Sequence, residues 1–113
     1  MVHLITAIVK PHRLEEVKDA LRGIGISGMT VTEVKGVGRQ GGHTETYRGT
    51  EYTIDLVPQL TLVLLCDSTE ADNLADSIGA AARAGSVGDG KIWIAAADRA
   101  IRVRTGELDS DAL

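Results

Sequence analysis

The chain has 113 residues, of which 43% are hydrophobic, and its 12 basic and 16 acidic side chains give a formal net charge of -4. This length fits one domain with one core, and the apolar content argues against a disordered chain. The negative charge argues against general binding to nucleic acid or to an anionic membrane, because both require a basic surface.

The first half of the chain predicts a strand, a helix and a second strand. Residues 2–10 are apolar on both alternating faces, as in a central strand covered on both sides. Pro11 ends that strand. Apolar residues then recur at spacings of three and four over residues 14–24, which predicts an amphipathic helix closed by glycines. Alternation over residues 29–37 predicts the second strand.

A polar stretch from about residue 37 to residue 53 follows. A polar segment this long between two strands is usually either functional or disordered. Residues 54–66 then return to a strand pattern, and Pro58 within them predicts a bulge or an edge position.

The second half continues with another helix and two short strands. Asp67, Ser68 or Thr69 can cap the helix at its start. A tight loop at residues 85–90 leads to predicted strands at residues 91–96 and 100–104, and the tail from residue 105 is expected to be peripheral. The apolar stripe of the helix comprises Ala71, Leu74, Ala75, Ile78 and Ala82.

This order of elements, βαββαβ plus a short C-terminal strand, predicts an α+β domain of the ferredoxin-like class. Its four-stranded antiparallel sheet carries helices on one face only. The strands are apolar on both sides, so the other face needs a partner, and self-association is the simplest way to cover it. No membrane span and no signal peptide are evident, so we expect a cytoplasmic protein without membrane insertion.

The glycines at the start of the polar stretch match the Gly-x-Gly-x-x-Gly pattern of dinucleotide sites. The run is Gly36-Val37-Gly38-Arg39-Gln40-Gly41. A strand precedes it but no helix follows, so no helix N-terminus is available for a pyrophosphate. Two interpretations remain: a ligand cradle that carries Arg39 and Gln40, or a hinge for a mobile loop.

A second glycine-rich run resembles a P-loop in spacing alone. In Gly85-Ser86-Val87-Gly88-Asp89-Gly90-Lys91, Ile92 takes the place of the magnesium-binding hydroxyl, and the helix precedes the loop instead of following it. We therefore reject the P-loop. Backbone N–H groups here can still bind phosphate, and we favour that role over a plain helix-to-strand turn, which would need one or two glycines.

Arg102 and Arg104 lie two residues apart on the predicted last strand, so both side chains should point to one face. Neighbouring guanidinium groups repel unless an anion or carboxylates separate them, and acidic residues nearby offer the second solution. Together with Lys91 and Arg39, the pair favours a polyphosphate ligand, because guanidinium groups match phosphate oxygens.

The sequence shows no catalytic or metal-binding arrangement. His3, His12 and His43 lack the spacing of metal ligands, and no nucleophile is paired with a base. Cys66 lies in an apolar run, is expected to be buried and cannot form an intrachain disulfide. We therefore expect neither an enzyme nor a metal site made by a side-chain cluster. An RNA-binding module is disfavoured by the acidic balance and the lack of strand aromatics.

Several runs at matching relative spacing give the chain a family resemblance. It resembles the PII nitrogen-regulatory signal proteins over essentially its whole length. The matching runs are Ile5-Thr6-Ala7-Ile8-Val9-Lys10-Pro11, Gly28-Met29-Thr30-Val31-Thr32-Glu33-Val34-Lys35-Gly36, Gly38-Arg39-Gln40, Gly42-His43-Thr44-Glu45, Tyr47-Arg48-Gly49, Glu51-Tyr52, Gly88-Asp89-Gly90-Lys91 and Ile101-Arg102-Val103-Arg104-Thr105-Gly106-Glu107.

The resemblance implies a single PII-like domain over residues 1–113 that forms a homotrimer, with ATP or ADP in each of three clefts between subunits and Mg²⁺ accompanying ATP. It implies a T-loop at about residues 37–53 that docks on target proteins, a B-loop at about residues 84–91, and a C-terminal segment at about residues 102–113. The implied targets are an ammonium transporter, a nucleotidyltransferase or another metabolic enzyme. Tyr52 matches the tyrosine that many bacterial members modify reversibly with a nucleotide.

The nucleotide-binding residues implied by the resemblance fall into three groups. Arg102 and Arg104 would reach in from a neighbouring subunit. One wall of the cleft would consist of Thr30, Gly36, Gly38, Arg39, Gln40 and Leu65, and the B-loop would contribute Gly88, Asp89, Gly90 and Lys91.

The chain departs from the family where 2-oxoglutarate would bind. Gln40, which chelates that metabolite together with ATP and Mg²⁺, is retained, but Gln59 replaces the lysine that holds the distal carboxylate. Losing that charge-assisted contact would cost about 1.5–3 kcal/mol. The expected function is an adenine-nucleotide-responsive regulator of nitrogen metabolism. The alternatives are a divergent regulator that senses ATP or ADP without 2-oxoglutarate, and a small ferredoxin-like enzyme acting on a phosphorylated substrate.

Overall fold

The structure is a computed structural model that describes residues 1–26, 28–37, 43–47, 50–54 and 56–113, with the backbone alone described for 43–47 and 50–54. Short 3₁₀ helices lie at Pro11–Arg13 and Asp109–Ala112. The helices are α1 (Leu14–Gly23) and α2 (Ala71–Ala82), and the strands are β1 (Val2–Val9), β2 (Thr30–Gly36), β3 (His43–Tyr47), β4 (Thr50–Ile54), β5 (Val57–Asp67) and β6 (Lys91–Ala97).

The main sheet has four antiparallel strands in the order β2-β5-β1-β6. Both α-helices pack on one side of it and on each other. This arrangement confirms the predicted α+β fold of the ferredoxin-like class. The two long central strands are next to each other, and Thr6 of β1 lies between Val63 of β5 and Trp93 of β6.

The helix-covered face holds the core because alternate residues of β1 and β5 point towards the helices. Ile5, Leu62, Val17 and Ile78, which come from two strands and two helices, have no exposed surface. The predicted apolar stripes of both helices pack here, which confirms the amphipathic patterns except at Ile24, which follows α1 and is exposed. The remaining buried residues of this core are Ala7, Val9, Leu21, Leu60, Leu64, Cys66, Ala71, Leu74 and Ala82.

The opposite side of the sheet, called here the open face, has no covering layer within the described chain. Leu65 and Trp93 lie on it with 44% and 48% of their surface exposed. The predicted central position of the first strand is confirmed, and the cover predicted for its second face would have to come from another copy. By the register of the strands, this face carries Leu4, Thr6, Ile8, Thr30, Thr32, Val34, Gln59, Thr61, Val63, Leu65, Lys91, Trp93 and Ala95.

The strand predicted for residues 54–66 is two strands, because β4 ends at Ile54 and β5 begins at Val57. Pro58 pairs with Lys35 of β2 but lies beyond the last pair that β5 forms with β1. It therefore has a strand neighbour on one side only, where its missing N–H is tolerated. The predicted edge position of Pro58 is confirmed.

The predicted cap of the second helix is wrong. Glu70 occupies the N-cap position and forms no side-chain capping bond. Asp67 instead stabilises the preceding turn, where its Oδ1 accepts hydrogen bonds from the backbone N–H of Thr69 at 3.1 Å and from the Thr69 hydroxyl at 3.0 Å. The side chain suited to capping thus lies three residues before the N-cap position and stabilises a turn there.

The strand predicted for residues 100–104 is also wrong. An isolated bridge joins Ile101 to Leu108, and the chain between them forms a turn. The Arg102 N–H donates to the Glu107 carbonyl at 2.9 Å, and the Gly106 N–H donates to the Arg102 carbonyl at 2.7 Å.

Neither α-helix in the described part of the chain has the length and apolarity that crossing a membrane requires.

Candidate functional site

A depression of about 640 Å³ on the open face brings together segments that are distant in sequence. Val37 and Gln59 line it on one side, and the B-loop residues 88–91 line it on the other, with Ile8 and Trp93 between them. Its volume is within the range of pockets that hold small molecules. Four predicted nucleotide-binding residues, Gly88, Asp89, Gly90 and Lys91, therefore meet in one concave surface.

The B-loop lies close against β1. Gly90 has a φ of +92°, and a Cβ on it would overlap the carbonyl oxygen of Ile8. Gly85 and Gly88 also have positive φ values, of 79° and 90°. The helix-to-strand turn therefore uses all three glycines itself, so their number alone no longer favours a phosphate over a plain turn.

Asp89 holds the first half of the B-loop in shape. Its carboxylate accepts hydrogen bonds from the backbone N–H of Ala84 at 3.1 and 3.2 Å and from that of Gly85 at 2.9 Å. Burial raises the pKa of Asp89, but these N–H donors and the Lys10 ammonium outweigh it and leave the pKa lowered. An internal carboxylate thus already occupies the anion-binding N–H groups at this end of the loop.

Lys10 is a functional candidate that the sequence reasoning missed. It follows β1 directly, and its Nζ lies 3.7 Å from an Asp89 oxygen and donates to the Ser86 hydroxyl at 2.5 Å. The signal in the sequence was a lysine at the end of an apolar central strand. It was not noticed because its two partners lie more than 70 residues away.

Lys91 presents the cationic group of the depression. It begins β6 opposite Ile8, and this register places it on the open face beside the B-loop glycines. It is exposed and forms no ion pair with any carboxylate whose position the structure describes. A cation in such a position can contact an anionic ligand directly.

Gln59 and Gly36 lie against each other at the opposite rim. Gln59 is paired with Val34 in the sheet, and its side-chain oxygen packs so closely over Gly36 that a Cβ there would overlap it. The side chain at the position of the family lysine is therefore a neutral amide directed at the base of the T-loop.

The T-loop residues most important to the prediction are only partly within the described chain. Gly38, Arg39 and Gln40 lie outside the described residues. The backbones of β3 and β4 pair as antiparallel strands, with Tyr52 opposite Glu45. The stretch predicted as a long polar loop therefore contains a two-stranded sheet.

Thr30 and Leu65 lie at the far end of the open face from Gly36. Thr30 is six residues from Gly36 along β2, roughly 20 Å at the rise of an extended strand. Leu65 pairs with Leu4 and lies further still along β5. A single chain therefore does not place these two residues on one wall with Gly36.

Arg102 and Arg104 lie on a turn, so the prediction that a strand directs both to one face is wrong. The guanidinium of Arg102 donates to the backbone oxygens of Ala112, at 3.4 Å, and of Leu113. Arg104 is exposed. Neither arginine lines the depression of its own chain.

ATP or ADP fits what the described residues offer. The depression has the volume, a free lysine and glycine backbone for phosphates, and an exposed indole on the sheet. Of the residues that line the depression, Asp89 carries the carboxylate, and it is engaged within its own loop. Among the described residues, no three His, Cys, Asp or Glu side chains group as metal ligands.

The chain is similar in sequence to proteins of one family over nearly its whole length. A sequence model of the family described as nitrogen regulatory protein P-II matches residues 2–107. The nitrogen regulatory protein P-II of Rhizobium etli is 52% identical over 110 residues, which are 97% of this chain and 98% of that protein. The nitrogen regulatory protein GlnK of Escherichia coli K12 is 49% identical with the same coverage, and that named P-II in Rhodospirillum rubrum is 50% identical over 109 residues, 96% of this chain and 97% of that protein.

Proposed function

The chain belongs to the nitrogen regulatory protein P-II family of signal transduction regulators in nitrogen metabolism, and on this basis we propose that it reports the adenine nucleotide bound in the open-face depression through its T-loop. ATP and ADP differ by one charged phosphoryl group beside Lys91. A ligand changes the T-loop only if it binds the loop's alternative states with different affinity. The T-loop then contacts a target such as an ammonium transporter, a nucleotidyltransferase or another metabolic enzyme in the cytoplasm.

One observation supports the proposal most strongly. The depression joins Val37, where the T-loop leaves β2, to the glycines and Lys91 of the B-loop. A phosphate held by the B-loop would lie next to the first T-loop residues. The nucleotide would therefore act where β2 leads into the T-loop, the segment whose conformation is proposed to change.

The proposal includes a homotrimer that completes the site. Thr30 and Leu65 are at the wrong end of the sheet to reach a ligand beside Gly36 of the same chain, and Arg102 and Arg104 do not line the depression. All four predicted contacts can reach one ligand if neighbouring copies supply them. The exposed Leu65 and Trp93 give the open face the apolar surface that such a contact would bury.

Gln59 favours a second candidate, a regulator that senses ATP or ADP without 2-oxoglutarate. Its amide packs over Gly36 and carries no positive charge for a distal carboxylate. Tyr52, which lies in β4, is the proposed site of reversible nucleotide modification.

Calorimetric titration of the full-length protein with ATP and ADP tests the nucleotide site. We expect Arg104→Ala to weaken ATP binding at least tenfold, because it removes a charge-assisted contact to phosphate. Arg22→Ala is the matched control, since Arg22 is also exposed but pairs with Asp19 on α1. Equal ATP affinity for the wild type and Arg104→Ala would contradict the proposed pocket.

Titration with 2-oxoglutarate in the presence of Mg-ATP separates the two candidates. The second candidate predicts weak or absent binding, and Gln59→Lys should then strengthen it at least tenfold by restoring the charge. Tight, ATP-dependent binding to the wild type would rule out the second candidate.

A further inference from the structure

A lysine whose side chain is mostly covered links the end of β1 to the B-loop. The Lys10 side chain is only 12% exposed, which is rare for lysine unless its charge is paired. Its ammonium contacts the Ser86 hydroxyl and lies 3.7 Å from the Asp89 carboxylate, which is itself 26% exposed. Partly buried charges such as these are screened less by salt than surface pairs.

We propose that Lys10 is a positioning residue of the nucleotide site: it holds the B-loop in its binding shape through Ser86 and Asp89 and offsets the Asp89 charge near the ligand phosphates. The inference rests on the proposed nucleotide function. Lys10 does not line the depression, so it acts through the loop and not by touching the ligand.

The position of Asp89 explains why its charge needs a partner. Asp89 lies between Gly88 and Gly90 and two residues before Lys91, all of which line the depression. A carboxylate in this loop would repel an anionic ligand held by the same segment. The N–H donors of Ala84 and Gly85 stabilise the carboxylate but carry no net charge, whereas Lys10 does.

One contact with β1 and one with Lys10, the residue that follows β1, hold the loop on either side of Asp89. On one side Gly90 lies against the Ile8 carbonyl, and on the other side Ser86 accepts the hydrogen bond from Lys10. Without the Lys10 contact, the first half of the loop would still be held by the hydrogen bonds that the Ala84 and Gly85 N–H groups donate to the Asp89 carboxylate. The central strand therefore supports the geometry of the whole loop.

A double-mutant cycle tests the charge role. We expect Lys10→Met to weaken ADP binding about tenfold and Lys10→Arg to retain affinity to within about threefold. In an Asp89→Asn background, Lys10→Met should lose most of its effect, because no carboxylate charge is left to offset. Lys18→Met, an exposed lysine on α1, is the control. Unchanged affinity in Lys10→Met, or an equal loss in both backgrounds, would overturn the charge role.

Amide hydrogen exchange of the ligand-free protein tests positioning independently of nucleotide. Exchange at the N–H groups of Ala84 and Gly85 should be about tenfold faster in Lys10→Met, because their acceptor is less firmly held. Ser86→Ala, which removes one contact with little risk to folding, should also make exchange at these two N–H groups faster. Unchanged exchange in both variants would overturn positioning. Failure of the wild type to bind any nucleotide would instead reject the proposed function, and the exchange result would still decide the role of Lys10 in the loop.

Discussion

The B-loop and the Arg102 turn were both predicted as phosphate-binding elements, but the chain treats them differently. The B-loop lies against β1 and is held by its own carboxylate, and Lys91 is exposed beside the depression with no ion pair to a carboxylate whose position is described. The guanidinium of Arg102 is instead bonded to backbone oxygens of its own tail. One element is held in shape by contacts within its own chain, and the other would have to exchange partners before it could bind an anion.

The largest effect should come from breaking the preformed element at its closest contact. Gly90→Ala places a Cβ against the Ile8 carbonyl at a φ of +92°, so overlap adds to the backbone strain. We expect a loss of about 3 kcal/mol in the free energy of unfolding, measured by chemical denaturation, together with a large loss of nucleotide affinity.

Gly85→Ala is the matched control for that substitution. Its φ of +79° imposes similar strain, but no atom lies within 4 Å of the added Cβ. We expect a cost of about 1 kcal/mol. Equal destabilisation by the two variants would show that the contact with β1 does not stabilise the B-loop.

The contrast between the two elements also shows where sequence reasoning succeeds. Periodicity predicted the core helices and central strands because burial of apolar residues dominates their free energy. The alternation of Ile101 and Val103 looked the same but did not produce a strand, since a turn closed by Gly106, at a φ of 76°, directs the chain back. A short alternating run cannot distinguish the two outcomes.

The site was predicted to the extent that its residues adjoin in sequence. Residues 88–91 were found because they form one motif, whereas the contact of Lys10 with Asp89 links positions 79 residues apart and has no local pattern. Resemblance supplied Thr30 and Leu65, but only the strand register shows that they lie far from Gly36 within one chain. How far apart such residues lie is determined by the folded chain and the pairing of its strands, which no local sequence pattern gives.

An intermediate effect is expected at the Arg102 turn. Truncation after Leu108 removes the backbone acceptors at residues 112 and 113, so the guanidinium no longer has to leave them when it binds phosphate. We expect ATP affinity to rise about fivefold, the equivalent of one modest hydrogen bond. In an Arg102→Met background the truncation should change nothing, and a similar rise there would show that the tail acts on another group.

The smallest effect concerns the carboxylate that ties the tail to the sheet. The N–H and then the hydroxyl of Thr69, followed by the Ser110 hydroxyl, lower the pKa of Asp67. A lowered folded-state pKa adds stability that is fully present above the unfolded value of about 3.9 and is lost as pH falls through the folded pKa. Asp67→Asn should therefore flatten the decline in unfolding free energy below pH 4, measured by denaturation at stepwise pH. Burial raises the pKa of Asp89, but its N–H donors and Lys10 leave that pKa lowered, so Asp89→Asn should flatten the decline as well. An unchanged decline in Asp67→Asn beside a flatter one in Asp89→Asn would show that the carboxylate at the tail, unlike that of the B-loop, does not stabilise the folded protein.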